Sequence, residues 1–147
     1  MRVSTIALVL AGLVALGVGV WMLRAPPRSP EEQVRAAVEA MAQAARSHDP
    51  AGVLDHVSEV FQSPELGGKP ELRAYLLGEL LRGGAVEARV LESRAEALPG
   101  GEVAFTGRLL LGRTAGGVDL GQRAVEATFV NEGGTWRAIQ AHVEPVR

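Results

Sequence analysis

The chain has 147 residues, enough for one domain of ordinary size, and a formal net charge of −2. Its 15 basic side chains, all arginine except Lys69, face 17 acidic ones, so no global positive field points to nucleic acid as a partner. Cysteine is absent, which excludes a thiol nucleophile, a thiolate metal site, a disulfide and a lipidated cysteine.

Residues 3–23 carry no charge, and 6–23 are almost wholly apolar or glycine. A bilayer core needs about 20 apolar residues in helix, so residues 1–24 read as an uncleaved membrane anchor. A cleaved export signal competes with that reading. The small-residue site after the run is Leu23-Arg24-Ala25 followed by Pro26. A bulky Leu stands where a small residue is wanted, and the proline opposes cleavage. A strict count of Arg24, Arg28 and Arg35 against Arg2 puts the domain in the cytoplasm. The short head carrying Arg2 is the usual form of an export signal. The expectation is therefore a single-pass protein of the cell membrane with its domain on the extracytoplasmic side. Residues 25–30, Ala-Pro-Pro-Arg-Ser-Pro, form a short stiff tether of roughly 3.1 Å per residue. The domain is assigned to 31–147.

Ser29, Pro30 and Glu32 make a capping-box helix start. Val34, Val38, Met41 and Ala45 then recur at helical spacing, with Ala37 and Ala44 beside them. A second, short helix starts at Asp49-Pro50. Residues 58–68 read as irregular, with Phe61 as anchor and a very short strand at Val60 and Phe61. Lys69-Pro70-Glu71 opens a third helix to about Arg82, with Leu72, Tyr75, Leu76 and Leu80 on its apolar side and Gly83-Gly84 ending it.

From Ala85 the period becomes two: Val86, Ala88 and Val90 share one face. The alternation fails over 92–97, where a bulge or strand end is expected. Val103, Phe105, Gly107, Leu109 and Leu111 then alternate with Ala104, Thr106, Arg108 and Leu110. Arg123, Val125, Ala127 and Phe129 repeat the period, and residues 136–143 give a third round. Glycine-rich turns separate these runs, so they read as consecutive antiparallel strands. The fold class is α+β: three helices packed on a curved antiparallel sheet of four or more strands.

This order of elements, with Gly134-Thr135-Trp136-Arg137, the closing His142-Val143 and Gly68-Lys69-Pro70-Glu71-Leu72, resembles the nuclear transport factor 2-like superfamily, including its SnoaL-like branch. The similarity covers about residues 30–145. It implies a cone, with helices in the concave side of a bent sheet and often a pocket between them. That superfamily includes isomerases, cyclases, dehydratases and many members without catalysis. Several bacterial members stand on one N-terminal membrane helix, and this chain is similar to them in layout. Fold alone supplies no function.

Chemistry is thin. His48 and His56 each adjoin an aspartate, but sequence neighbours do not face each other on a helix. Neither makes the i, i+4 histidine pair of a helical zinc site. No metal or cofactor is expected. His142 shares strand parity with Trp136, Ala138 and Gln140 and is the candidate acid-base, with Tyr75 as the group that orients a ligand oxygen. The pocket-lining candidates are Phe61, Tyr75, Trp136, Gln140 and His142. The other face of the strands mixes apolar Ala104, Leu110, Ala124 and Val130 with Thr106, Arg108, Glu126 and Thr128. Such a face suits a modest interface, with Arg108, Leu110, Glu126 and Val130 as candidates and a second copy or an envelope protein as partner. The expectation is a membrane-tethered binding or assembly module of the bacterial envelope. The alternative is a SnoaL-like enzyme that uses His142 and Tyr75 on a small apolar ligand.

Overall fold

A computed structural model describes residues 28–114 and 119–147. The expected anchor and residues 25–27 of the tether lie outside them. Among the described residues, no helix is long and apolar enough to cross a membrane.

Helix α1 (Pro30–Arg46) starts at Ser29, whose Oγ accepts from Glu32 N at 3.2 Å. It buries Val34, Ala37, Val38 and Ala42. The small alanines let the helix lie close to the sheet, mostly against strand β3 (Val86–Ala97). Helix α2 (Pro50–Leu54) is capped by Asp49. Strand β1 (Val57–Ser63), the two-residue β2 (Gly67–Gly68) and helix α3 (Lys69–Leu80) follow. At the start of α3 the Gly68 N–H donates to Glu71 Oε2 at 3.0 Å. Arg113 ties the far end down by donating to Glu79 O at 2.6 Å. Three long strands complete the chain: β4 (Val103–Arg113), β5 (Asp119–Glu132) and β6 (Thr135–Pro145).

The sheet has six strands in the order β2-β1-β6-β5-β4-β3. The α+β class and the three helices agree with the sequence reading. The purely antiparallel sheet does not, because β1 runs parallel to β6. No hairpin joins these two strands, so nothing local forces them antiparallel. β1 is also longer than the short strand expected at Val60 and Phe61. Its buried residues Val57, Ser58, Phe61 and Ser63 do not alternate simply, so it gives no period-two signal.

Two bulges set which side chains look inward. On β3, Val90 pairs with Leu109 and Glu92 with Arg108, leaving Leu91 as the extra residue. On β6, Ala138 pairs with Phe129 and Gln140 with Thr128, leaving Ile139 over. Each extra residue reverses strand parity. The core packs Val34, Val57, Phe61, Val103, Phe105 and Phe129 between helices and sheet. Phe105 and Phe129 meet edge to face at 6.3 Å.

Candidate functional site

The sheet presents two surfaces. The inner one, with α1 and α3, encloses a pocket of about 440 Å3. Its walls are largely apolar and include Met41, Leu72, Leu76, Leu109 and Val125. The polar side chains among the lining residues include Glu65, Tyr75 and Arg123. Phe61 lines it, buried to 2 % exposure, and Tyr75 lines it at 56 % exposure. A volume in this range with few polar groups suits a small apolar molecule.

The other expected lining residues lie elsewhere. Trp136 is buried at the opposite end of α1, where its Nε1 donates to Gln33 Oε1 at 2.8 Å. It borders a separate cleft with Ala36, Ala40 and His56. Gln140 and His142 follow the Ile139 bulge, and their parity is reversed with respect to Trp136 and Ala138. Both line a broad groove on the outer face, with Gln62, Thr106, Glu126 and Thr128. The expectation that His142 and Tyr75 share a pocket is therefore corrected: Tyr75 lines the inner pocket and His142 the outer groove.

His142 joins a polar cluster with Glu144 and with Glu65, which also lines the inner pocket. His142 Nδ1 meets Glu65, and His142 Nε2 meets Glu144 Oε1 at 2.7 Å. The Glu65 carboxylate also accepts from Val143 N at 3.2 Å and Ser63 Oγ at 3.0 Å. Glu126 stands directly across from His142 in the β5–β6 register, and Thr106 across from Glu126. The Glu144 and Glu65 contacts together raise the His142 pKa against the opposing effect of desolvation, the hydrogen bond to Glu144 being the largest single cause. Desolvation pulls Glu65 upward, but donation from Val143 and Ser63, together with the His142 charge, leaves its pKa lowered. Glu65 lay in the stretch read as irregular, and no sequence signal marks a contact made across 77 positions (142 − 65).

The interface candidates do share the outer face. Arg108 pairs with Glu92 across β3 and β4, its Nε to Oε2 distance being 3.0 Å. Leu110 and Val130 are half-buried, and Glu126 is exposed. The remaining histidines serve local structure. His48, at φ 55, has Nδ1 2.7 Å from Leu80 O, and His56 Nδ1 lies 2.9 Å from Trp136 O. Among the described residues no cluster of three metal-binding side chains occurs.

No protein-family model matches the sequence. No curated protein matches it either. Solved structures do. An NTF2-like protein of unknown function from Pseudomonas putida superposes with a TM-score of 0.66 at 17% identity, over 78% of this chain and 84% of its own. A protein provisionally named scytalone dehydratase from Novosphingobium aromaticivorans gives 0.70 at 11% identity, over 79% and 83%. The S. rosetta CaMKII hub gives 0.68 at 14% identity, over 82% and 99%. At these identities the likeness concerns the fold, and the fold is the nuclear transport factor 2-like cone.

Proposed function

We propose that the chain is a membrane-tethered, non-catalytic binding or assembly module of the bacterial cell envelope, whose outer sheet face pairs with a second copy. The observation that carries this reading is the mixed apolar and charged make-up of that face. On that face the β3–β4 flank bears Arg94 and Arg108 together with Glu92 and Glu96, and the β5–β6 flank bears Glu126, His142 and Glu144, so both signs occur across it. Cross-strand partners point to one side of a sheet. A two-fold axis parallel to the strands lays the β3–β4 flank of one copy over the β5–β6 flank of the other, as an isologous interface allows. Leu110 and Val130 supply apolar contact within it. The uncharged run 6–23 supports the tether. The hub found among the structural neighbours is compatible with a role in assembly.

One experiment examines both parts. Full-length protein is expected in the membrane pellet after carbonate extraction, and a crosslinker is expected to join two copies there. Leu110→Glu should abolish the crosslink while the variant stays folded in the pellet. A shortened soluble form would overturn the tether. A wild-type chain that never crosslinks to itself would overturn the pairing.

A second reading, a small apolar ligand held inside the cone, is favoured by the inner pocket and the place of Tyr75 on its wall. In that reading Tyr75 orients the ligand. His142 does not line that pocket, and its ring is held by Glu65 and Glu144.

A further inference from the structure

Among the described residues, three that carry charge line the inner pocket: Glu65, Arg89 and Arg123. Two of them already have partners. Arg89 pairs with Glu87, Nη2 to Oε1 at 3.0 Å. The Glu65 carboxylate accepts from Ser63 and Val143 and meets His142. It enters from the β1–β2 turn, on the side of β6 away from β5. Arg123 differs. It stands half-buried on the inner face of β5, with Leu109 of β4 and Pro145 of β6 beside it in register. A Cβ on Gly121 would lie 2.8 Å from Arg123 Nη1, so the guanidinium extends over the space that this glycine leaves on the same strand. Its one side-chain hydrogen bond among the described residues runs from Nη1 to Gln122 O at 3.2 Å, and no described carboxylate pairs with it. A guanidinium has five N–H donors in a fixed fork and keeps its charge throughout the physiological range. Most of those donors and the full charge therefore stand at the wall of a cavity of about 440 Å3 that is otherwise largely apolar.

We propose that the inner pocket takes a small monocarboxylate with an apolar body, its carboxylate held by the Arg123 guanidinium and its body lying among Leu76, Leu109 and Val125. This deepens the second reading above, a small ligand held inside the cone, and rests on it. The planar fork of an arginine matches the two oxygens of a carboxylate, and such charge-assisted pairs are roughly twice as strong as neutral hydrogen bonds. The apolar walls add to the pair, because attraction between opposite charges grows as the surrounding dielectric falls. They also favour an apolar remainder of the ligand. A single unpaired guanidinium matches a single negative charge. Glu65, on the same lining, opposes a second one, so a phosphate monoester fits less well than a carboxylate.

The probes are 4-phenylbutanoate and its uncharged amide, 4-phenylbutanamide, which share an apolar body and differ in the charge offered to Arg123. Equilibrium dialysis of the full chain in lipid nanodiscs, with protein-free discs as the blank, gives both dissociation constants. The wild type should bind the acid about tenfold more tightly than the amide. Arg123→Gln should weaken the acid about tenfold and leave the amide unchanged. Leu76→Trp, which fills the cavity from a half-buried place on α3, should abolish binding of both. Equal binding of the two probes by the wild type, or a preference for the acid that survives Arg123→Gln, would overturn the role of Arg123 and leave the cone as an apolar binding site. Binding that survives Leu76→Trp would put the probes outside the cone and overturn the inference as well. A folded wild type that binds neither probe would overturn this inference and the second reading together.

Discussion

Gln33 shows how one side chain can organise the entry to the fold. Its Oε1 accepts from Trp136 Nε1 at 2.8 Å, and its Nε2 donates to Arg28 O at 2.6 Å. The amide thus joins the start of α1 to the last strand and fixes the direction from which the chain arrives. Trp136 is 7 % exposed, so its N–H has little access to water if that acceptor is removed. A buried donor left unpaired costs about 1–3 kcal/mol. Gln33→Leu should therefore lower the stability of a fragment starting at Ser29 by about that amount in urea denaturation. An unchanged midpoint would mean that another group takes the indole proton. Nothing in the sequence announces this pair, because Gln33 reads as the polar side of an amphipathic helix. The same limit applies to His142. Its placement beside Trp136 followed from parity, and parity fails at Ile139, which stands between Ala138 and Gln140 and gives no warning of a bulge.

At the scale of elements, sequence pattern served where one face was buried against the core and failed where the backbone was irregular. α1 was legible in its cap, its proline and its stripe. α3 began as expected, although Tyr75 and Leu77 remain exposed, a pattern that blurs its amphipathic signal. β4 and β5 alternate cleanly through Phe105 and Phe129. β3 was legible only to its bulge, and the reason for that bulge lies on the neighbouring strand. A Cβ on Gly107 would sit 2.7 Å from the Glu92 carbonyl oxygen and 2.9 Å from the Phe105 ring. The bulged backbone of β3 therefore leans on the space a glycine leaves. Backbone cannot withdraw as a flexible side chain can, so Gly107→Ala should cost about 1–3 kcal/mol. Hydrogen exchange should localise the loss to residues 92–97 of β3 and their partners on β4. Protection there equal to the wild type would show that the bulge tolerates the methyl group.

At the scale of the molecule, the cone could be read from the order of its elements, while the joining of its ends could not. The parallel β1–β6 pair and the Glu65–His142 contact both link segments far apart in sequence, and neither leaves a local pattern. That link gives the whole domain a defined response to pH. The folded-state pKa of His142 is raised above its ordinary value of 6.5. Its stabilising contribution is therefore complete below that value and is lost as pH rises through the raised one. Glu65 and Glu59 are lowered from 4.5, Glu59 chiefly by its hydrogen bond and charge interaction with Lys69. Their contributions are complete above 4.5 and are lost as pH falls through the lowered values. Stability should therefore form a plateau between about pH 4.5 and 6.5 and decline on both sides, gently because all three groups are partly in contact with water. His142→Gln should flatten the alkaline decline and remove the charge contribution of His142 to Glu65. Lys69→Met should reduce the share of the acid decline that comes from Glu59 and leave the alkaline side unchanged. Thermal unfolding of the three proteins from pH 3 to pH 9 is the measurement. An alkaline decline that survives His142→Gln would place the responsible proton on another group.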